Sequence, residues 1–93
     1  MPGFLDTYSR LITTNILLAT SGNEVSRLVS EAVKKLEEEK IQPIIIIHFI
    51  ETIISDMEAL GPSNLDPEQW HNAKTGRVLL LRKKRQLRSQ PLI

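Results

Sequence analysis

Residues 41–57 read IQPIIIIHFIETIISDM, with eight isoleucines and one histidine in seventeen positions. The reading of this stretch decides the fold. A membrane-spanning helix needs about 20 mostly apolar residues, and His48, Glu51, Thr52, Ser55, Asp56 and Glu58 interrupt the run within that length. A buried strand would suit IIIIHFI alone, but the apolar pattern continues past it. At about 100° per residue, Ile46, Ile50, Ile53, Met57 and Leu60 form the centre of one helical face. Ile45, Ile47, Phe49 and Ile54 flank that face, whereas His48, Glu51, Thr52 and Ser55 lie behind it with Ile44 stranded among them. Pro43 stands where a helix start prefers it.

The apolar arc spans roughly 200°, about twice the minimum for a helix packed on one side. A helix over residues 43–60 should therefore touch two or three neighbours and form the central element of the fold. A chain of 93 residues builds only a modest core. Part of the arc is accordingly expected to meet a second copy of the chain, as in homodimers whose interface resembles a core cut in half. The self-association residues on this reading are Ile46, Ile50, Ile53, Ile54 and Met57.

Working outward, Ser21-Gly22-Asn23, Gln42-Pro43 and Gly61-Pro62-Ser63-Asn64 divide the chain into four segments. In residues 22–41, Val25, Leu28, Val29, Ala32, Val33 and Leu36 recur at helical spacing, after a capping box of Ser21 and Glu24. Glu31 and Lys35 have the spacing and order of a favourable ion pair. A second box, Asp66 with Gln69, opens the last segment, with Pro67 at the first helical position. Gly76 weakens that helix by roughly 1 kcal/mol relative to alanine, and RVLLL at 77–81 also reads as a short strand. A lone strand would have no partner, so the spacing predicts a helix continuing to near Leu87. Residues 6–20 are equally two-sided. Leu5, Tyr8, Leu11, Ile12, Ile16 and Ala19 make a helical stripe, while Ile12, Thr14, Ile16 and Leu18 alternate as a strand would. Helices elsewhere favour a helix here too. The expected fold is an all-α bundle of three to four helices, one domain over residues 1–93, dimeric, with a basic tail at 82–93 that a partner would order.

Chemistry has little to stand on. The chain has no cysteine, so disulfides, thiolate metal sites and cysteine nucleophiles are excluded, and a reducing compartment is compatible. The first residues lack the basic and apolar regions of a signal peptide, and the expected location is intracellular, in the cytoplasm. No membrane span is expected. His48 projects from the polar back of its helix. Glu68 and His71 have the Glu-x-x-His spacing of di-iron bundles, but only one such pair exists, and Glu68 has a simpler role against the helix dipole. No glycine-rich phosphate loop is present. The sequence assigns no catalytic residue, metal or cofactor.

Charge is the remaining feature. Residues 1–67 carry five basic and ten acidic side chains, a sum of −5, whereas residues 68–93 carry seven basic and one acidic, a sum of +6. Lys74, Arg77, Arg82, Lys83, Lys84, Arg85 and Arg88 follow one another with no intervening acid. On a helix, Lys74, Arg77, Lys84, Arg85 and Arg88 share a side with Trp70 and Leu81, while Arg82 and Lys83 point elsewhere. Such a segment suits a solvated helix end salt-bridged to the Glu37-Glu38-Glu39 run, or an acidic protein surface, or phosphate contacts to a nucleic acid. Few aromatics are present for base stacking, and Trp70 is expected in the core. The function expected from these features is a non-enzymatic interaction module. It would self-associate through the isoleucine helix and present its basic end to a partner, with nucleic-acid binding as the alternative.

Overall fold

A computed structural model describes residues 3–89. Four helices account for most of them: α1 (Gly3–Leu17), α2 (Gly22–Glu38), α3 (Pro43–Leu60) and α4 (Pro67–Arg88). No strand occurs among the described residues, so both two-sided segments are helical. In this first segment, Ile12, Ile16 and Ala19 are buried while Thr14 and Leu18 are exposed, which follows the helical stripe and not the alternation, although Leu11 of that stripe is 53% exposed. Two poor helix formers sit on the buried face and satisfy their hydroxyls locally: Ser9 Oγ donates to the Asp6 carbonyl at 2.9 Å, and Thr13 Oγ1 to the Ser9 carbonyl at 2.8 Å. RVLLL lies inside α4. Residues 82–88, expected as a tail ordered by a partner, form the last two turns of α4, and residues 90–93 lie outside the described residues.

The helix ends show how local chemistry sets the boundaries. Asp66 Oδ1 accepts from the Gln69 amide at 2.8 Å, and Gln69 Oε1 accepts from the Asp66 amide at 3.2 Å, a complete capping box. Ser21 Oγ likewise accepts from the Glu24 amide, but the Glu24 carboxylate turns to the amide of Thr20 instead of Ser21. α2 ends three residues before the periodicity suggests. Lys40 takes a left-handed conformation (φ 60°), the Ile41 amide donates to the Leu36 carbonyl at 3.0 Å, and the Lys40 amide to that of Glu37 at 3.0 Å. This is a Schellman closure with lysine where glycine is usual. Glu31 pairs with Arg27 at 3.2 Å rather than with Lys35.

The core is one contiguous cluster drawn from all four helices. The arc of α3 accounts for much of it: Ile46, Phe49, Ile50, Ile53 and Met57 are each 3% exposed or less, and Ile54 is 9% exposed. Burial of one such side chain stabilises a fold by about 1.5–3 kcal/mol. The ends of the arc are less covered than the periodicity suggests. Leu60 is 37% exposed and Ile45 39%; Ile44, on the polar back, is 67% exposed.

The isoleucine helix is nevertheless not the hub. α3 packs mainly on α1 and α4 and meets α2 only marginally, whereas α4 packs on all three other helices. Small residues permit this. Gly76 is buried, and a Cβ placed on it would stand 3.1 Å from Ile16 Cγ2 and 3.7 Å from Val25 Cγ1. Glycine thus sits where side chains of α1 and α2 press against the backbone of α4, which offsets its helix-propensity cost. One turn earlier, the buried Asn72 Nδ2 donates to the carbonyls of Leu17 (3.2 Å) and Ala19 (2.8 Å). It supplies the C-terminal end of α1 with partners that the end of a helix otherwise lacks.

Candidate functional site on the fourth helix

α4 begins as a core helix and ends as a basic one. Its buried line runs through Asn72, Ala73, Gly76, Leu80 and Leu87. The flank turned toward α3 carries Trp70, Lys74, Arg77, Leu81, Lys84 and Arg88, with Arg85 beside them. The outermost face carries His71, Val78, Arg82 and Ser89, all exposed. Lys83 is half-buried on the opposite flank. The side-sharing read from the sequence therefore stands for Lys74, Arg77, Lys84, Arg85 and Arg88, and Arg82 and Lys83 diverge from them.

Two of these cations find carboxylates, and both carboxylates come from α3. Arg77 Nε donates to Glu58 Oε2 at 3.0 Å, and Lys84 Nζ lies 2.7 Å from Glu51 Oε2. The two pairs step in opposite directions along the two helices, as antiparallel helices require. The Lys84 hydrogen bond and charge, with smaller contributions from His48 and Arg88, hold the Glu51 carboxyl below its ordinary pKa. No ion pair to Glu37, Glu38 or Glu39 occurs among the described residues. Nor do Lys74, Arg82, Lys83, Arg85 and Arg88 pair with a carboxylate among them. Lys74 Nζ stands 5.8 Å from the centre of the Trp70 ring, a cation–π contact.

Trp70 is half-buried at the rim of a hollow and is not a core anchor. The hollow, about 300 Å³, lies between α3 and α4 and is lined by Ile54, Met57, Trp70 and Ala73, with Glu58, Lys74 and Arg77 at its edge. Further along α4, a shallower hollow of about 190 Å³ is lined by Leu81, Lys84, Arg85 and Arg88. An open concavity on the outer face is lined by Arg82, Arg85, Gln86 and Ser89.

The residues expected to hold a second copy stand elsewhere. Ile46, Ile50, Ile53, Ile54 and Met57 are covered by the chain's own helices. They retain almost no area for another chain, because α1 and α4 together close over the wide arc. Glu68 and His71 are exposed near the start of α4, and no group of three metal-ligating side chains occurs among the described residues. No helix among the described residues is long and apolar enough to cross a membrane.

The sequence reading passed over Glu51 and Glu58 as members of this face. Their signal is visible only across two helices, where each stands opposite a cation of α4. Comparison with protein-family models, with curated proteins and with solved structures finds no match.

Proposed function

We propose that the chain is a non-enzymatic binding module that offers the basic flank and outer face of α4 to an acidic partner. One observation carries this reading. On that flank and face, Lys74, Arg82, Arg85 and Arg88 have no carboxylate partner among the described residues, although they belong to the helix most firmly seated in the bundle. Cations on a rigid helix lose little conformational freedom as a group when a partner binds, so their attraction is not spent on ordering the backbone. Self-association through the isoleucine face is not part of the proposal, since its side chains are already covered within one chain.

A second reading, phosphate contacts to a nucleic acid, is favoured by the outer concavity, where Arg82, Arg85, Gln86 and Ser89 bring together guanidinium, amide and hydroxyl donors. The two readings share a first test. The protein is loaded on a sulfated-polysaccharide column and eluted with salt, beside two double variants of equal net charge. Arg82→Glu with Arg85→Glu should elute at clearly lower salt than Lys34→Glu with Lys35→Glu, which reverses two exposed cations on α2. Equal elution of the two variants would mean that only net charge matters, and the proposal would fall.

A further inference from the structure

The flank of α4 that faces α3 has a regularity that ion pairing within the chain does not explain. Trp70, Lys74, Arg77, Leu81, Lys84 and Arg88 follow one another at alternating steps of four and three residues. That is the spacing by which one helix presents a continuous seam to another. The seam runs for about 27 Å at 1.5 Å per residue. Its apolar members, Trp70 and Leu81, each border a hollow, and the larger hollow has an apolar floor of Ile54, Met57 and Ala73. Its charges do not balance: Lys74, Arg77, Lys84, Arg85 and Arg88 are set against only Glu51 and Glu58, leaving a net excess of three positive charges.

We propose that this seam is the docking groove for an acidic amphipathic α-helix of a partner protein. An apolar side chain of that helix fills the hollow beside Trp70, and its carboxylates meet Lys74, Arg85 and Arg88. The proposal rests on the reading of α4 as a face for an acidic partner and deepens it. Charge excess selects an acidic occupant, the four-three spacing selects a helix, and the apolar floor separates it from a nucleic-acid backbone, which has nothing apolar to place there. Glu51 and Glu58 do not oppose such a partner, because Lys84 and Arg77 already neutralise them.

Trp70 is the only tryptophan of the chain and lies in the proposed groove, so its emission reports occupancy. The probes are a designed amphipathic peptide of about three heptads, with leucine on its apolar stripe and glutamate beside it, the same peptide with lysine for glutamate, and a short DNA duplex. At low salt the acidic peptide should shift Trp70 emission to shorter wavelength and saturate. The basic peptide should do neither. Anisotropy of the labelled acidic peptide should then show at least tenfold weaker binding to Lys74→Glu with Arg88→Glu, two exposed positions in the seam. The charge-matched variant Lys34→Glu with Lys35→Glu, two exposed positions on α2, should change affinity by no more than about threefold, as expected of charges outside the contact. Equal weakening by the two variants would mean that only net charge is read and would overturn both readings. Saturable binding of the acidic peptide with no change in Trp70 emission would overturn the groove while leaving the basic face as the binding surface. Failure of the acidic peptide to bind, or equal binding of the basic one, would overturn both readings. Tighter binding of the duplex with no change in Trp70 emission would replace the partner helix by a nucleic acid.

Discussion

α3 and α4 reach the same core by opposite means. α3 is apolar over a wide arc and packs chiefly on two neighbours; α4 is largely polar and packs on three. The difference lies in side-chain size. Large isoleucines fill the space between α3 and its neighbours with hydrocarbon, whereas the small Ala73 and Gly76, with Asn72 bonded to the end of α1, bring α4 against α1 and α2 across short side chains. Hydrophobicity therefore measures how much a helix contributes to the core, and residue size decides where in the bundle it sits.

The sharpest way to break this comparison is to reduce the large side chains. Ile53→Ala, at a fully buried position of α3, should destabilise the fold by about 2–5 kcal/mol, while Ile44→Ala should stay within about 0.5 kcal/mol, both read by urea denaturation. Similar effects at the two sites would mean that the arc is not buried as described.

Enlarging the small side chains is the reciprocal experiment. Gly76→Leu should cost about 1–3 kcal/mol through overpacking against Ile16 and Val25. Combining it with Ile16→Ala, which removes the facing Cγ2 and Cδ1, should give a loss smaller than the sum of the two single losses. Strict additivity would show that Gly76 does not mark the close approach.

Asn72→Ala removes both donors from the end of α1 and should cost roughly 1–2 kcal/mol, because two inward-facing carbonyls lose their partner. Hydrogen exchange would place the loss: amides in the last turn of α1 should lose protection before those of α3. If protection falls evenly across the molecule, Asn72 is not a local tie.

The smallest effect concerns the exposed pair between α3 and α4. Because Lys84 lowers the pKa of Glu51, the pair stabilises the fold when the carboxylate is ionised, and this contribution fades as pH falls through the lowered value. Thermal melting of Glu51→Gln should lie slightly below wild type at neutral pH, with the gap closing in acid below the ordinary value of 4.5. Added salt should also narrow it, as for any exposed pair. A gap that persists in strong acid would have another cause.

The candidate face was legible in part. The spacing of Lys74, Arg77, Lys84, Arg85 and Arg88 placed them on one side with Trp70 and Leu81, since a helix repeats its faces at a known angle. Trp70 was expected inside and stands at a rim, because how deeply a large ring is buried depends on the helix across from it. The carboxylates opposite were missed for the same reason: Glu51 and Glu58 lie far from their cations in sequence and meet them only when α3 and α4 lie antiparallel.

Sequence by itself determined α2 and α3 as helices, the start of α4 with its capping box, and the inward face of α3, because each depends on residues within a few positions of one another, whereas residues 6–20 and 77–81 read equally as helix or strand. Only the tertiary structure decided that α1 and α4 close over the isoleucine arc within a single chain, that α4 is the hub, and that Gly76 and Asn72 belong to the joints between helices. These outcomes depend on the distances between helix axes, and no periodicity along one helix records the size of the residue facing it on another.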